Sequence, residues 1–175
     1  MGLIANSFSA SDLKNISYAD IMLPPGRSDL LKLDQGHVFI DFAHDPESMK
    51  NILFSLAELY DEILLIFGCG GDRDKEKRRK MMRVAEEFSQ SIIFTSDNNR
   101  NESFECISAD ATQDSKFQNL AIIKSREEAI KQGLLSLNRS NILVILGKGH
   151  EVVMEEQGNN IPFNDRECVL KSVNQ

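Results

Sequence analysis

The chain has 175 residues, 41% of them hydrophobic and 27% charged, enough to bury the core of one ordinary domain. Its formal net charge of -7 gives it no electrostatic reason to hold a polyphosphate such as DNA. No apolar run approaches the ~20 residues of a membrane helix, the N-terminus lacks a charged-then-apolar signal pattern, and position 6 after Met1-Gly2 is Asn rather than the Ser or Thr of a myristoylation motif. Cys69, Cys106 and Cys168 are widely spaced and odd in number, which points to free thiols in a reducing compartment, hence the cytoplasm.

In chain order, the stretch to about Gln35 reads as irregular: Ser7, Ser9, Ser11 and Asp12, then a turn at Pro24-Pro25-Gly26 that no helix survives. Residues 1–36 are therefore expected to be a linker or the remnant of an upstream domain, and 37–175 the domain proper. Val38–Phe42 predicts a buried strand. Pro46 opens a helix with apolar residues at Met49, Ile52, Leu53, Leu56 and Leu59. Ile63–Phe67 is the next strand, followed by Gly68-Cys69-Gly70-Gly71 and a helix over Lys77–Ser89. Ile92–Thr95 leads to Ser96-Asp97-Asn98-Asn99-Arg100, and a weaker helix covers Phe104–Ala111. Ala121–Ile123 is a fourth strand, and Ser125 caps a helix to about Leu137 with Glu127 and Glu128 in its first turn. Ile142–Leu146 is a fifth strand, ending in Gly147-Lys148-Gly149-His150-Glu151. Val152–Met154 and Ile161–Phe163 flank Gly158-Asn159-Asn160 and predict a hairpin before a last helix from Asp165.

Continuous apolar strands alternating with amphipathic helices predict an α/β fold: a Rossmann-like, three-layer domain with a mostly parallel sheet and a C-terminal β-hairpin. Ligands of such sheets bind at the carboxyl ends of the strands. The polar and glycine-rich segments lie there: Asp41–His44, Gly68–Arg73, Asp97–Arg100 and Gly147–Glu151.

The segment Gly68–Asp74 lets backbone approach a ligand, but it is neither a P-loop nor Gly-x-Gly-x-x-Gly, and it also reads as a flexible strand–helix turn. Arg73 within it can hold a carboxylate by two parallel hydrogen bonds. Asp97-Asn98-Asn99-Arg100 joins an acceptor, two amides and a guanidinium, the mixture a zwitterionic amino acid needs, though Asp and Asn are also turn residues. Glu151 can pair with an ammonium. His44 and His150 read as structural, and Asp41, His44 and Asp45 make a poor metal site, so no protein-held metal is expected. Lys75, Lys77, Arg78, Arg79, Lys80 and Arg83 form a basic run, either a solvated helix face or a patch facing an anionic substrate.

Four motifs in order, Pro25-Gly26-Arg27, Asp41-Phe42-Ala43-His44-Asp45-Pro46, Phe67-Gly68-Cys69-Gly70-Gly71-Asp72-Arg73-Asp74-Lys75 and Gly147-Lys148-Gly149-His150-Glu151, resemble the C-terminal domain of the Mur ligases over about Pro25–Val173. Members adding meso-2,6-diaminopimelate carry Asp-Asn-Pro-Arg where this chain has Asp97-Asn98-Asn99-Arg100, and relatives adding lysine lack the arginine. The resemblance implies an ATP-dependent peptide synthase of cell-wall peptidoglycan synthesis. Such an enzyme phosphorylates the carboxylate of a UDP-N-acetylmuramoyl dipeptide with Mg-ATP, and the amine of the incoming amino acid then attacks. It implies that Arg73, Asp97, Asn98, Asn99, Arg100, Gly147 and Glu151 bind the amino acid, that Arg27, Asp41 and His44 face the nucleotide, and that no catalytic group resides in this domain. ATP and Mg would sit mainly on an upstream domain, leaving these residues inactive alone, and the protein is expected to be a monomer. Relatives taking L-lysine, lanthionine or a folate-glutamate chain are the nearest alternatives. A non-catalytic amino-acid-binding module is the alternative of another class.

Overall fold

A computed structural model describes residues 25–174; Ser7, Ser9, Ser11, Asp12 and Pro24, read above as irregular, lie outside them. Six strands, β1 (Asp29–Leu33), β2 (Gly36–Asp41), β3 (Glu62–Gly68), β4 (Ser91–Thr95), β5 (Leu120–Ile123) and β6 (Asn141–Leu146), form one sheet in the order β1-β2-β6-β3-β4-β5. All neighbours are parallel except β1, which runs antiparallel to β2. Five helices follow the strands: α1 (Pro46–Ala57), α2 (Lys75–Phe88), α3 (Phe104–Thr112), α4 (Arg126–Leu135) and α5 (Asp165–Val173). A separate hairpin, β7 (Val153–Glu156) with β8 (Asn159–Pro162), lies between β6 and α5.

The burial pattern explains the layering. Every residue of β6 is buried, as are all of β3 after Glu62, because helices cover both faces of the central strands. Side chains alternate between two cores. Ile63, Leu65, Phe67, Ile142, Val144 and Leu146 pack under α1, α2 and α3. Leu64, Ile66, Leu143 and Ile145 meet Ala129, Ile130 and Leu134 of α4 and Val169 of α5 on the other face. Gly133 in α4 makes the second layer possible: a Cβ there would lie 2.8 Å from Ile66 Cδ1 and 2.9 Å from Leu143 Cδ1.

Each helix begins on a side chain suited to its orphan N–H groups. Asp45 accepts from Glu47 N and Ser48 N, with Pro46 behind it. Asp74, Ser103, Ser125 and Asn164 cap the other four. The Asp74 cap starts α2 at Lys75, two residues before the expected Lys77, while α1 and α4 stop at Ala57 and Leu135, short of Leu59 and Leu137.

One element differs from the sequence reading. Asp29–Leu33, inside the stretch taken as irregular linker, is an edge strand joined to β2 by a tight turn at Asp34-Gln35. Only Leu31 of β1 is fully buried, and Asp29 and Lys32 interrupt the apolar pattern, so the strand carries the short, charged signature of an edge.

The topology sets the binding edge. From β2 through β5 the chain steps one way across the sheet, and α1, α2 and α3 pack into one core on one face. The return from β5 to β6 puts α4 on the other. Because β6 lies between β2 and β3, the chain leaves neighbouring strands toward opposite faces, which opens a crevice beyond their carboxyl ends.

Candidate functional site

A cavity of about 460 Å³ occupies that crevice. Arg73 comes to it from the loop after β3, Asp97, Asn98 and Arg100 from the loop after β4, and Gly147 and Glu151 from the loop after β6. Phe42, His44, Cys69 and Lys77 also line it. Six of the seven residues expected to bind an amino acid thus share one cavity, although their sequence positions span nearly eighty residues. Asn99 does not line it: it is buried, and its amide nitrogen donates to Ser96 Oγ at 3.2 Å. Its backbone packs against the β3 loop instead, where a Cβ on Gly71 would fall 1.8 Å from Asn99 O.

The cations are held differently. Arg73 is exposed and has no hydrogen-bond or ion-pair partner among the described residues. Arg100 is anchored. Its Nη1 donates to Gly71 O at 2.7 Å, and its Nε lies 3.4 Å from Glu155 Oε2. Its φ of +52° is a left-handed conformation that an arginine rarely adopts. The hairpin enforces it: Arg100 N donates to Glu155 O at 2.9 Å, and Gln157 N donates to Arg100 O at 2.6 Å. The guanidinium is thereby aimed along the cavity wall before any ligand arrives.

Asn98, Glu151 and Lys148 form a polar node beside them. Glu151 Oε2 accepts from Asn98 Nδ2 at 2.9 Å and from Lys148 Nζ at 2.7 Å. Asn98 Oδ1 accepts from Lys148 Nζ at 3.1 Å and from Glu155 N at 2.9 Å, which fixes the amide's orientation. Gly147 has a φ of +113°, and a Cβ on it would stand 2.6 Å from Asp97 Oδ2, so the strand end must be glycine for the two loops to meet.

Of the three residues expected to face a nucleotide, only His44 lines the cavity. Asp41 is nearly buried and accepts from Ser28 N at 2.7 Å and Ala43 N at 2.8 Å, so its carboxylate ties the Gly26–Ser28 turn to the end of β2. Arg27 lies 4.3 Å above the Phe42 ring, whose faces also meet His44 and His150. Asp45 caps α1, and among the described residues no three His, Cys, Asp or Glu side chains gather as a metal site. The Cys69 thiol is pushed up to about 12 by burial and by the Asp97 charge, so it stays protonated beside the cavity.

Sequence reasoning missed four supporting side chains. Lys148 is fully buried despite standing in a glycine-rich loop. Arg126 and Asp165 form a fully buried pair at 2.7 Å beneath the site, and the same guanidinium donates to Ser96 O and Leu146 O, the ends of β4 and β6. Burial works to lower the pKa of Arg126, but the facing carboxylate of Asp165, together with the charge of Asp97, leaves it raised. Arg78, read within the basic run, turns inward and holds Glu102, Asp110 and Gly70 O. Arg78, Arg126 and Asp165 on helices and Lys148 in a loop are charges of a type usually solvated, and nothing local marks them as buried. Elsewhere in the run, Lys75, Lys80 and Arg83 pair on the surface, and Lys77 faces the cavity. A second cleft of about 470 Å³ lies between α4, α5 and the hairpin, but its Lys131 and Lys171 are already paired with Glu127 and Glu167.

Comparison with known proteins bears on this arrangement. The family model described as Mur ligase, glutamate ligase domain, matches residues 26–149. A protein of Halalkalibacterium halodurans named UDP-N-acetylmuramoyl-L-alanyl-D-glutamate--2,6-diaminopimelate ligase is 38% identical over 152 residues, 86% of this chain and 31% of that protein. One of the same name from Buchnera aphidicola subsp. Baizongia pistaciae is 40% identical over 141 residues, 79% of this chain and 28% of that protein. A solved structure of a ligase of that name superposes with a TM-score of 0.82 at 34% identity, covering 88% of this chain and 32% of that one. A folylpolyglutamate synthase from Thermotoga maritima, 21% identical over 78% of this chain and 29% of that one, shares the fold with a TM-score of 0.55. The chain therefore spans about a third of the length of the curated relatives it matches.

Proposed function

This chain belongs to the Mur ligase family through its glutamate ligase domain, and from that premise we propose that it is the amino-acid-recognising domain of an ATP-dependent ligase joining meso-2,6-diaminopimelate to UDP-N-acetylmuramoyl-L-alanyl-D-glutamate. The observation that carries the reading is the convergence of Arg73, Arg100 and Glu151, from three different strand ends, on one cavity. Diaminopimelate bears a carboxylate and an ammonium at each end. Arg100 would meet the far carboxylate, Arg73 a carboxylate by its open fork, and Glu151 an ammonium. Asn98, Asp97 and Gly147 would complete the walls.

The domain's share of the reaction would be positioning: holding the attacking amine at a fixed place and orientation contributes to rate by removing the entropy of encounter. These residues do not fit a nucleotide and its metal, since no Gly-Lys-Ser/Thr loop follows a strand and no carboxylate cluster gathers among the described residues. ATP turnover is therefore expected to depend on other residues of the protein that carries this chain. His44 in the cavity lining and Arg27 over the Phe42 ring would face the nucleotide, and Asp41 would shape that edge. A cytoplasmic, monomeric enzyme accords with this role; in the described residues no helix is long and apolar enough to cross a membrane.

The test is the rate of phosphate release by the protein that carries this chain, given the UDP-linked dipeptide, ATP and one amino acid at a time. Diaminopimelate is expected to exceed L-lysine by about 10²-fold in kcat/KM, because lysine leaves Arg100 without its counter-charge. Equal rates with lysine, a preference for lanthionine or glutamate, or diaminopimelate binding with no ATP turnover would each replace this assignment.

A further inference from the structure

We infer that Lys148 is a positioning residue for the cavity: its ammonium joins the β4 loop, the β6 loop and the hairpin, and so sets where Asn98 and Glu151 stand. The inference rests on the reading of the cavity as an amino-acid site.

Lys148 is 0% exposed, and its Nζ has three acceptors for its three protons: Asn98 Oδ1 at 3.1 Å, Glu151 Oε2 at 2.7 Å and Val153 O at 2.7 Å. Each acceptor belongs to a different segment, after β4, after β6 and at the start of β7. The two side chains it holds both line the cavity. Its effect on them is directional. By occupying Asn98 Oδ1 together with Glu155 N, it leaves Asn98 Nδ2 to face Glu151. By occupying Glu151 Oε2, it leaves Oε1, which has no hydrogen bond among the described residues, as the oxygen available to a ligand ammonium. A buried cation fully matched by acceptors from three segments orients them.

The node also reaches Arg100. Glu155, whose N–H ends on Asn98 Oδ1, gives its carbonyl to Arg100 N. Lys148 thus holds one end of the hairpin register that keeps Arg100 in its left-handed conformation.

The experiment has two arms. In the chain without ligand, Lys148→Met is expected to speed hydrogen exchange of the Glu155 amide at least tenfold while the amides of Ile66 and Val144 in the central strands keep their protection. An unchanged Glu155 amide, or an equal acceleration throughout the core, overturns the inference. Should Lys148→Met not fold, Lys148→Gln takes its place with the same expected outcome, and failure of both to fold assigns Lys148 to the core alone and also overturns it. In the protein that carries the chain, Lys148→Met is expected to raise the KM for meso-diaminopimelate tenfold or more with the KM for ATP unchanged. Combined with Glu151→Gln it is expected to raise that KM no further than Glu151→Gln alone, and additive losses would refute the coupling. If the unaltered protein does not use diaminopimelate, the functional reading fails, and the exchange arm still decides the role of Lys148 in the node.

Discussion

Arg100 carries an unusual backbone for its residue type. The left-handed region costs a non-glycine residue on the order of 1 kcal/mol, and the hairpin bonds at Glu155 O and Gln157 N hold it there. Its guanidinium has one firm internal partner, Gly71 O, and one loose one, Glu155 at 3.4 Å, so donors remain for a ligand carboxylate. Arg100→Ala in the protein that carries this chain is expected to raise the KM for diaminopimelate by about 10²-fold and to leave the KM for ATP within a factor of about three. Arg100→Lys is not expected to restore it, because an ammonium lacks the planar fork. Steady-state kinetics with each substrate varied in turn measures both, and an unchanged KM for the amino acid would refute the role of Arg100.

At the scale of elements, α2 and α3 are joined by Arg78. It makes a bidentate bond to Glu102, with a second carboxylate at Asp110, and reaches back to Gly70 O in the cavity loop. Glu102 also accepts Asp72 N, so the loop after β3 is pinned at two points. The Arg78 hydrogen bond holds Glu102 down at about 2 from its ordinary 4.5. A carboxyl whose folded value is depressed lends stability that is complete above the unfolded value and lost as pH falls toward the folded one. The contribution of Glu102 is therefore expected to disappear between about pH 4.5 and 2. Glu102→Gln is expected to flatten that part of the acid limb in denaturant titrations at a series of pH values; an acid limb identical to that of the unaltered chain would contradict it. The motif Gly68–Asp74 was legible as a ligand-approaching loop, since strand, glycines and helix cap are all local. Its anchoring by Arg78 was not, because the carboxylate partners lie more than twenty residues away and Arg78 stands among charges that are solvated.

For the whole molecule, the buried Arg126–Asp165 pair connects the start of α4, the start of α5 and the ends of β4 and β6. Both side chains are fully buried, so removing one leaves an uncompensated charge. Asp165→Ala is expected to destabilise the chain by about 3–5 kcal/mol, read as a lowered denaturant midpoint, and Arg126→Met with Asp165→Leu together by less than Asp165→Ala alone. A loss below about 1 kcal/mol for Asp165→Ala would show the pair to be solvated in solution. The same guanidinium bridges the ends of β4 and β6, from which two of the cavity's loops depart.

The sequence by itself determined the parallel core, the order of strands and helices, the hairpin, and the four strand-end segments at which a ligand site must lie. Those follow from short-range causes: apolar runs of strand length, helical spacing, and capping residues read within a few positions. Only the tertiary structure decided which charges are wall and which are support. Asn99 turned into the protein, Asp41 became a tie between β2 and its neighbouring turn, and Lys148, Arg78 and Arg126 proved to be buried. The edge strand β1 likewise depended on a partner rather than on its own pattern. Burial of a charge is decided by acceptors brought from distant segments, and a linear pattern of residues carries no record of where those acceptors will stand.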